Sequence, residues 1–259
     1  MKTSKVAGFG LAVIASLAFT AACNTGKGGS GASTSSPTPA ADPVQVLGAS
    51  TKDLQTTSHK FAVKSGEASG SGAVDPAAKT VQMTVSGSAE GMKFQVDLMA
   101  LVKDYYLKLT GLPIPGLDTK KWFHLDANKV SSLKGVGVED ITDPVGLKGF
   151  DKAIVSAEKT GDRTYKGTLD LSKFTSGSFV DAATAAKNAD KIKAVPFEAT
   201  LDEKGRLTKL SFTVPALDSE PADPTEITYS DYGTPVDITK PSADTVIEAP
   251  ETVYKILSG

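Results

Sequence analysis

The hydrophobic positions of this 259-residue chain change their spacing several times along the sequence. Residues 6–22 form a continuous apolar run, and residues 24–41 carry no large apolar side chain. After these segments, Val44, Leu47 and Leu54 recur at helical spacing, and from about residue 59 the period becomes two. Period two is typical of strands that bury one face. The pattern therefore predicts an apolar N-terminal segment, a polar linker and one mainly β domain.

The first helix is predicted directly after the polar linker. Asp42 can cap its N-terminus, and Pro43 suits the first helical position. Gln45 stands where a capping-box partner reaches back to the cap residue. The helical spacing of the apolar residues extends this helix to about Thr57.

Alternating apolar residues predict a long series of strands. Turn-forming stretches at residues 75–79 and 87–91 separate the first strands, which are therefore consecutive and antiparallel. Two more hairpins are centred on residues 160–162 and 202–205, with a capped, alanine-rich helix at residues 181–192 between them. The alternating positions are Phe61, Val63, Val81, Met83, Val85, Phe94, Val96, Leu98, Phe197, Ala199, Leu201, Leu210, Phe212 and Val214.

Two regions carry weaker patterns. Glycine and proline interrupt residues 133–150, where Asp143 and Pro144 favour the start of a short helix. Residues 226–242 are predicted to form a final meander of the sheet before a short terminal element.

The fold class follows from the number of strands and the few helices. About ten or eleven strands joined by tight turns must twist, and a flat open sheet of that size is unusual. One face of the strands is apolar, and short helices are the only other elements that can cover it. We predict an α+β, mainly antiparallel fold: an unclosed, curved half-barrel with a few helices on its concave face.

The concave face can hold a packed core or a ligand cavity, and the pattern leaves both alternatives open. Small residues dominate residues 64–74, which leaves space or marks a close backbone approach. The loop at residues 109–118 carries apolar side chains, which are tucked under it or form an exposed lip that opens. The candidate cavity or mouth residues are Val81, Met83, Val85, Phe94, Val96, Leu98, Leu112, Ile114, Phe197, Leu210 and Phe212.

Composition and charge argue against several classes of function. The formal net charge is −2, and lysines and acids alternate without a basic stripe, so we expect no nucleic-acid partner. The two histidines, His59 and His124, stand in no nucleophile or metal-binding motif. We therefore expect no enzyme, no catalytic residue, no metal site and no cofactor.

The N-terminus has the features of a secretory signal. Lys2 and Lys5 precede the apolar run, which ends in small residues directly before Cys23, the single cysteine of the chain. The run is shorter than the roughly 20 residues of a spanning helix. We divide the chain into a signal peptide at residues 1–22, a cysteine with a flexible tether at residues 23–41, and one domain at residues 42–259.

The motif "TAAC" resembles the lipobox of bacterial lipoproteins, although Thr20 stands where that pattern commonly has leucine. The resemblance implies a diacylglyceryl group on the Cys23 sulfur, and two acyl chains give stable membrane anchoring. The alternative is an ordinary cleaved signal peptide, with Cys23 lost or left as a free thiol.

The whole chain resembles the LppX/LprG family of envelope lipoproteins in its tether, opening helix, long hairpins, "KWFHLD" and late "SDYGTPVDITKP". That family has a fold similar to the LolA and LolB carriers, with a hydrophobic cavity for acyl chains. The resemblance implies a monomer on the outer face of a bacterial cell membrane that carries or presents a lipid or glycolipid, with an envelope transporter or membrane protein as a possible partner. The alternative is a lipoprotein interaction module without a ligand.

Overall fold

The computed structural model describes residues 41–258, except residues 90, 113, 131, 132, 134, 136, 137, 139, 175–178 and 219. The predicted signal peptide, Cys23 and nearly all of the tether lie outside this part of the chain. None of the described helices has the length and apolar character needed to cross a membrane.

One large sheet dominates the fold. Its first half consists of β1 (His59–Ser65), β2 (Ala68–Asp75), β3 (Thr80–Ala89), β4 (Met92–Leu101), β5 (Asp104–Thr110) and β6 (Trp122–Asp126). The second half consists of β7 (Ile154–Lys159), β8 (Thr164–Leu169), β9 (Val195–Leu201), β10 (Leu207–Val214), β11 (Asp223–Ser230) and β12 (Val246–Glu248). The helices are α1 (Pro43–Ala49), α2 (Phe150–Ala153), α3 (Ala182–Lys187), α4 (Ala189–Ile192) and α5 (Glu251–Ser258).

The order of strands across the sheet is β12-β6-β5-β4-β3-β2-β1-β11-β10-β9-β8-β7. Every neighbouring pair is antiparallel except β12 and β6, which are parallel. β12 and β7 are the two edges, so the sheet of twelve strands is unclosed. The predicted α+β half-barrel is confirmed, with one or two more strands than expected.

The helices and the inner face of the sheet share one apolar core. Across the strands, Phe61, Met83, Leu98 and Phe123 occupy the same inward row. Side chains from α1, α2 and α5 belong to the same cluster, so these helices cover the concave face; they are Leu47, Phe150, Ala153, Val253 and Leu257.

The first helix is shorter than predicted. Asp42 accepts a hydrogen bond from the backbone N–H of Val44 at 2.9 Å, as expected for a cap. The α-helix ends at Ala49, and a separate 3-10 turn follows at Lys52–Gln55. The chain leaves the helix because the carbonyl of Ser50 accepts a hydrogen bond from the N–H of Leu207, at 3.0 Å.

Other predicted elements are also shifted. Asp143 does not start a helix; it accepts hydrogen bonds from the N–H groups of Gly146, Leu147 and Lys148, and α2 begins only at Phe150. The helix predicted at residues 181–192 is divided into α3 and α4 at Asn188.

The predicted final meander contains one strand, β11, and a long segment that is not a strand. This segment, residues 231–245, is called the strap. The strap crosses the outer face of the sheet, because Lys240 binds Asp104 of β5 at 2.6 Å and lies over the ring of Tyr106. Tyr106 points outward yet is only 7% exposed, which indicates that the strap covers it. The strap then leads into β12 at the far edge of the sheet.

Candidate functional site

The structure places all eleven predicted cavity or mouth residues in the same apolar cluster. Most of them lie on the inner faces of β3, β4, β9 and β10, and two lie in the loop after β5. Seven are buried: Val81, Met83, Val96, Leu98, Phe197, Leu210 and Phe212. Four are partly buried and pack against the others: Val85, Phe94, Leu112 and Ile114.

The small residues of β2 mark a close approach of two strands. Gly72 faces inward, and a Cβ built there would lie only 2.3 Å from the carbonyl oxygen of Gln82. A Cβ built at Gly70, on the same face, would lie 3.8 Å from its nearest neighbours, which is an ordinary van der Waals distance. At Gly72 the alternative of a close backbone approach is therefore the correct one.

Inward glycines also stand opposite aromatic residues. Gly87 is paired with Phe94 across β3 and β4, and a Cβ at Gly87 would lie 2.9 Å from the Phe94 ring. Gly167 stands opposite Phe197 across β8 and β9, and a Cβ there would lie 1.9 Å from the carbonyl oxygen of Ser156 and 2.9 Å from the Phe197 ring. The rings of these phenylalanines thus occupy the volume that the glycines leave, and the inner face is well packed at these positions.

The loop at residues 109–118 is tucked against the core. Leu109 is part of β5 and is buried, and Leu112, Ile114 and Leu117 are partly buried against the cluster. Gly111 comes so close to Lys93 that a Cβ there would lie 2.1 Å from the Lys93 carbonyl oxygen. The described residues of the loop therefore line the core and do not form an exposed lip.

A hollow of about 990 Å³ opens at the end of the sheet where β1 turns into β2. We call it the mouth hollow. Residues 65–68, residues 179–184, residues 214–218 and residues 220–223 form most of its walls. Its apolar lining includes Phe179, Val180 and Leu217, which also belong to or pack against the core cluster.

Phe179 connects the mouth hollow with the predicted interior. Its ring meets Phe212 edge-on, with 5.1 Å between ring centroids, and meets Phe174 edge-on at 5.0 Å. Edge-to-face pairs at such distances are favourable. Sequence reasoning selected Phe212 but missed Phe174 and Phe179. The stretch "KFTSGSF" indicates them, because these two aromatic residues stand isolated among small and polar ones.

Residues 181–192, called the lid, contain α3 and α4, and their first turn borders the mouth hollow through Asp181 and Thr184. Asp181 caps α3 by accepting hydrogen bonds from the N–H groups of Ala183 and Thr184. α3 contains no buried residue, although all of its residues are described. A segment with so few buried contacts belongs to the low-stability end of a protein.

Two side-chain hydrogen bonds join the lid to the chain between β10 and β11. Asn188 donates to the carboxylate of Asp218 at 3.1 Å, and Lys191 donates to the carbonyl of Ala216 at 3.2 Å. The side chain of Ile192 is fully buried and anchors the end of α4. The lid is therefore attached at its C-terminal half.

The mouth hollow is acidic. Its described lining contains carboxylates and neither lysine nor arginine; the acids are Glu67, Asp181, Asp218, Glu220 and Asp223. Asp223 accepts a hydrogen bond from the hydroxyl of Ser65 at 2.5 Å, and a hydrogen bond with Thr184 holds the pKa of Asp181 below its usual value. Such a lining disfavours an anionic group and accommodates a neutral or cationic one.

A second hollow of about 990 Å³ lies on the outer face of β7 to β11. Its rim carries alternating charges that pair with one another, as in Lys166 with Glu158 at 3.0 Å and Lys209 with Glu226 at 2.6 Å. Phe197 and Phe212 border it, but their side chains belong to the inner cluster. The outer hollow is thus separate from most of the predicted residues.

The two histidines have different surroundings. His59 is buried against the rings of Tyr229 and Tyr232, and burial lowers the pKa of its imidazole. His124 lies on the outer face between Asp104 and Glu248. No cluster of three or more His, Cys, Asp or Glu in the described residues is arranged to hold a metal ion.

Comparison with known proteins adds no assignment. No protein-family model and no curated protein matches this chain.

Proposed function

We propose that the domain binds the acyl chains of a lipid or glycolipid and carries or presents that lipid in a bacterial envelope, anchored to the membrane through Cys23. The observation that supports this most is the mouth hollow, which reaches the apolar interior at Phe179 and is bordered by α3, a helix that contains no buried residue. Its volume of about 990 Å³ is within the range of ligand pockets.

The packed inner face is compatible with this proposal if the acyl chain displaces part of the packing. Each CH₂ removed from water contributes about 0.8 kcal/mol, so a chain of about ten methylenes gains about 8 kcal/mol. The two hydrogen bonds of the lid, through Asn188 and Lys191, contribute about 1 kcal/mol each, and the buried side chain of Ile192 contributes about 2 kcal/mol more. Burial of an acyl chain can therefore offset the opening of the lid.

The polar end of the ligand would remain in the acidic mouth hollow. Carboxylates such as Glu67 and Asp218 would repel an anionic headgroup and accept hydrogen bonds from hydroxyl groups. This arrangement favours a lipid whose polar end is uncharged or cationic, including one that carries sugar hydroxyls.

The first experiment is native mass spectrometry of the full chain purified from its own membrane, followed by titration with a fluorescent monoacylglycerol, whose polar end is uncharged. Lipid that copurifies and is displaced by the probe would support the carrier. A protein that carries no lipid and does not take up the probe would contradict it.

The second candidate is an interaction module that binds an envelope or membrane protein and has no ligand. The contacts of Gly87 and Gly167 with the rings of Phe94 and Phe197 favour it, because they show an interior that is already filled at those positions. A chain that excludes the fluorescent monoacylglycerol, while remaining anchored through Cys23, would support this second function.

A further inference from the structure

His124 of β6 lies between two carboxylates on the outer face of the sheet. Its Nδ1 is 2.9 Å from Oε1 of Glu248, and its Nε2 is 3.1 Å from Oδ1 of Asp104. Ionised carboxylates only accept hydrogen bonds, and a neutral imidazole has a single N–H to donate. Only the protonated, cationic form of His124 can therefore donate to both partners.

The two partners belong to different parts of the chain. Asp104 is the first residue of β5, which lies inside the sheet, whereas Glu248 is the last residue of β12 at its edge. β12 has only three residues and pairs with β6 alone. The contact between His124 and Glu248 thus adds a side-chain link to a very short strand pairing.

β12 leads directly into α5, which covers part of the concave face. Val253 and Leu257 of α5 are at most 1% exposed and belong to the core cluster. The backbone of α5 also lies against Gly135, where a Cβ would come within 1.8 Å of the carbonyl oxygen of Ile256. Release of β12 would therefore remove one of the attachments of a helix that covers the apolar interior.

We propose that His124 is a pH-sensitive latch, which holds β12 and α5 on the sheet when its ring is protonated and loosens them when its ring is neutral. Loss of the proton leaves a nitrogen lone pair facing a carboxylate oxygen, which replaces an attraction with a repulsion. The latch does not depend on lipid binding and can be tested without a ligand.

The charged and titratable groups around the ring agree with a protonated His124. Asp104 and Tyr106 face it from β5, Glu248 faces it from β12, and Lys240 of the strap binds the second oxygen of Asp104 at 2.6 Å. Asp126, on β6 itself, stands opposite Asp104 in the register. The carboxylates outnumber the single lysine, so the local field favours the imidazolium.

The hydrogen bond with Glu248 raises the pKa of His124 above its ordinary value most strongly, and the hydrogen bond with Asp104 raises it further. A raised pKa in the folded state means that the latch is complete below about pH 6.5, the pKa in the unfolded chain. The stabilisation is lost as the pH rises through the higher pKa of the folded state. The latch therefore closes in mild acid, where the two carboxylates are still ionised, and opens in mild alkali.

The test uses the full chain and two measurements. Imidazole NMR follows the pKa of His124, and the chain has only one other histidine, His59, whose lowered pKa separates its titration. Amide exchange of residues 246–258, corrected for intrinsic chemistry, should be several-fold faster at about pH 8.5 than at about pH 5.5. The single tryptophan, Trp122, pairs with Val246 and should report the same change by fluorescence.

Three variants make the test specific. His124→Gln cannot titrate, so exchange of residues 246–258 should no longer depend on pH. Glu248→Gln, at a side chain that is 82% exposed, should lower the pKa of His124 and move the transition to lower pH. Glu226→Gln removes a comparable carboxylate from the ion pair with Lys209 on β10 and should leave both measurements unchanged.

Two results would overturn the latch. One is an amide-exchange rate of residues 246–258 that does not change with pH in the unaltered chain. A rate that changes with pH to the same extent in His124→Gln counts as the same result. The other is a pKa of His124 that Glu248→Gln leaves unaltered, and this measurement still decides the question if His124→Gln fails to fold.

Discussion

The amide of Asn188 donates a hydrogen bond to the carboxylate of Asp218 at 3.1 Å, and this contact joins the lid to the chain between β10 and β11. The same amide donates to the carbonyl of Thr184 at 3.1 Å, within the lid. One side chain therefore both ends α3 and fixes the lid beside the mouth hollow. This double role makes Asn188 the position where lid opening can be tested with one substitution.

Asn188→Ala should open the lid more often. The substitution removes both hydrogen bonds, and the one with Asp218, worth about 1 kcal/mol, holds the lid closed, so its loss should raise the opening equilibrium about fivefold. We expect faster amide exchange in α3 and α4, and faster uptake of a fluorescent monoacylglycerol in stopped-flow measurements.

Lys187→Ala is the matched control for the lid, because Lys187 is exposed at the last position of α3. It should leave lid exchange and probe uptake nearly unchanged. If Asn188→Ala accelerates lid exchange and leaves uptake unaltered, the ligand enters by another route.

Phe179 and Phe212 are in contact, yet their substitution should have different effects. Phe212 is 5% exposed in the core, and Phe212→Ala should lower the free energy of unfolding by about 3 to 5 kcal/mol. Phe179 is only partly buried at the mouth hollow, so Phe179→Ala should cost less stability while enlarging the entrance. Urea unfolding measures the first effect, and probe affinity measures the second.

An equal loss of stability in the two variants would contradict this assignment, because it would place Phe179 in the core and not at its entrance. A change of probe affinity that exceeds the change in stability is the expected signature of a residue at the ligand path.

Gly72→Ala should destabilise the domain, whereas Gly70→Ala should not. The new Cβ at Gly72 would lie 2.3 Å from the Gln82 carbonyl oxygen, so the strands must separate, at a cost of about 1 to 3 kcal/mol. At Gly70 the nearest atoms are 3.8 Å away, and replacing a strand glycine there is neutral or slightly stabilising. Thermal or denaturant unfolding of the two variants gives the comparison directly.

The two glycines are matched in strand, face and chemistry, so their difference isolates the close approach of β2 and β3. If both variants lose the same stability, the inner face of β2 is uniformly crowded. If neither does, Gly72 leaves space for a ligand.

The periodic parts of the fold could be predicted from the sequence because local patterns determine them. Alternation in β3, β4, β9 and β10 identifies the inward residues, and the turns between neighbouring strands determine their antiparallel pairing. The seven buried residues among the eleven predicted ones all lie on these strands.

The remaining features depend on contacts between distant parts of the chain. β12 has three residues, too few for an alternating pattern, and its partner β6 lies far away in sequence. α1 ends where Ser50 binds Leu207, and His124 lies between Asp104 and Glu248 from separate strands. No local pattern encodes such pairings, which is why the strap, the latch and the contact between Phe179 and Phe212 were not predicted.

Cys23→Ser tests the predicted anchor independently of the domain. A serine hydroxyl cannot form the thioether, so the variant should lose the diacylglyceryl group and move from the membrane fraction to the soluble fraction. Fractionation followed by mass spectrometry of the N-terminal peptide measures both changes. Thr20→Leu, which restores the residue common in the lipobox, should keep the protein on the membrane and serves as the control. Membrane association that survives Cys23→Ser would show that another part of the chain holds the protein there.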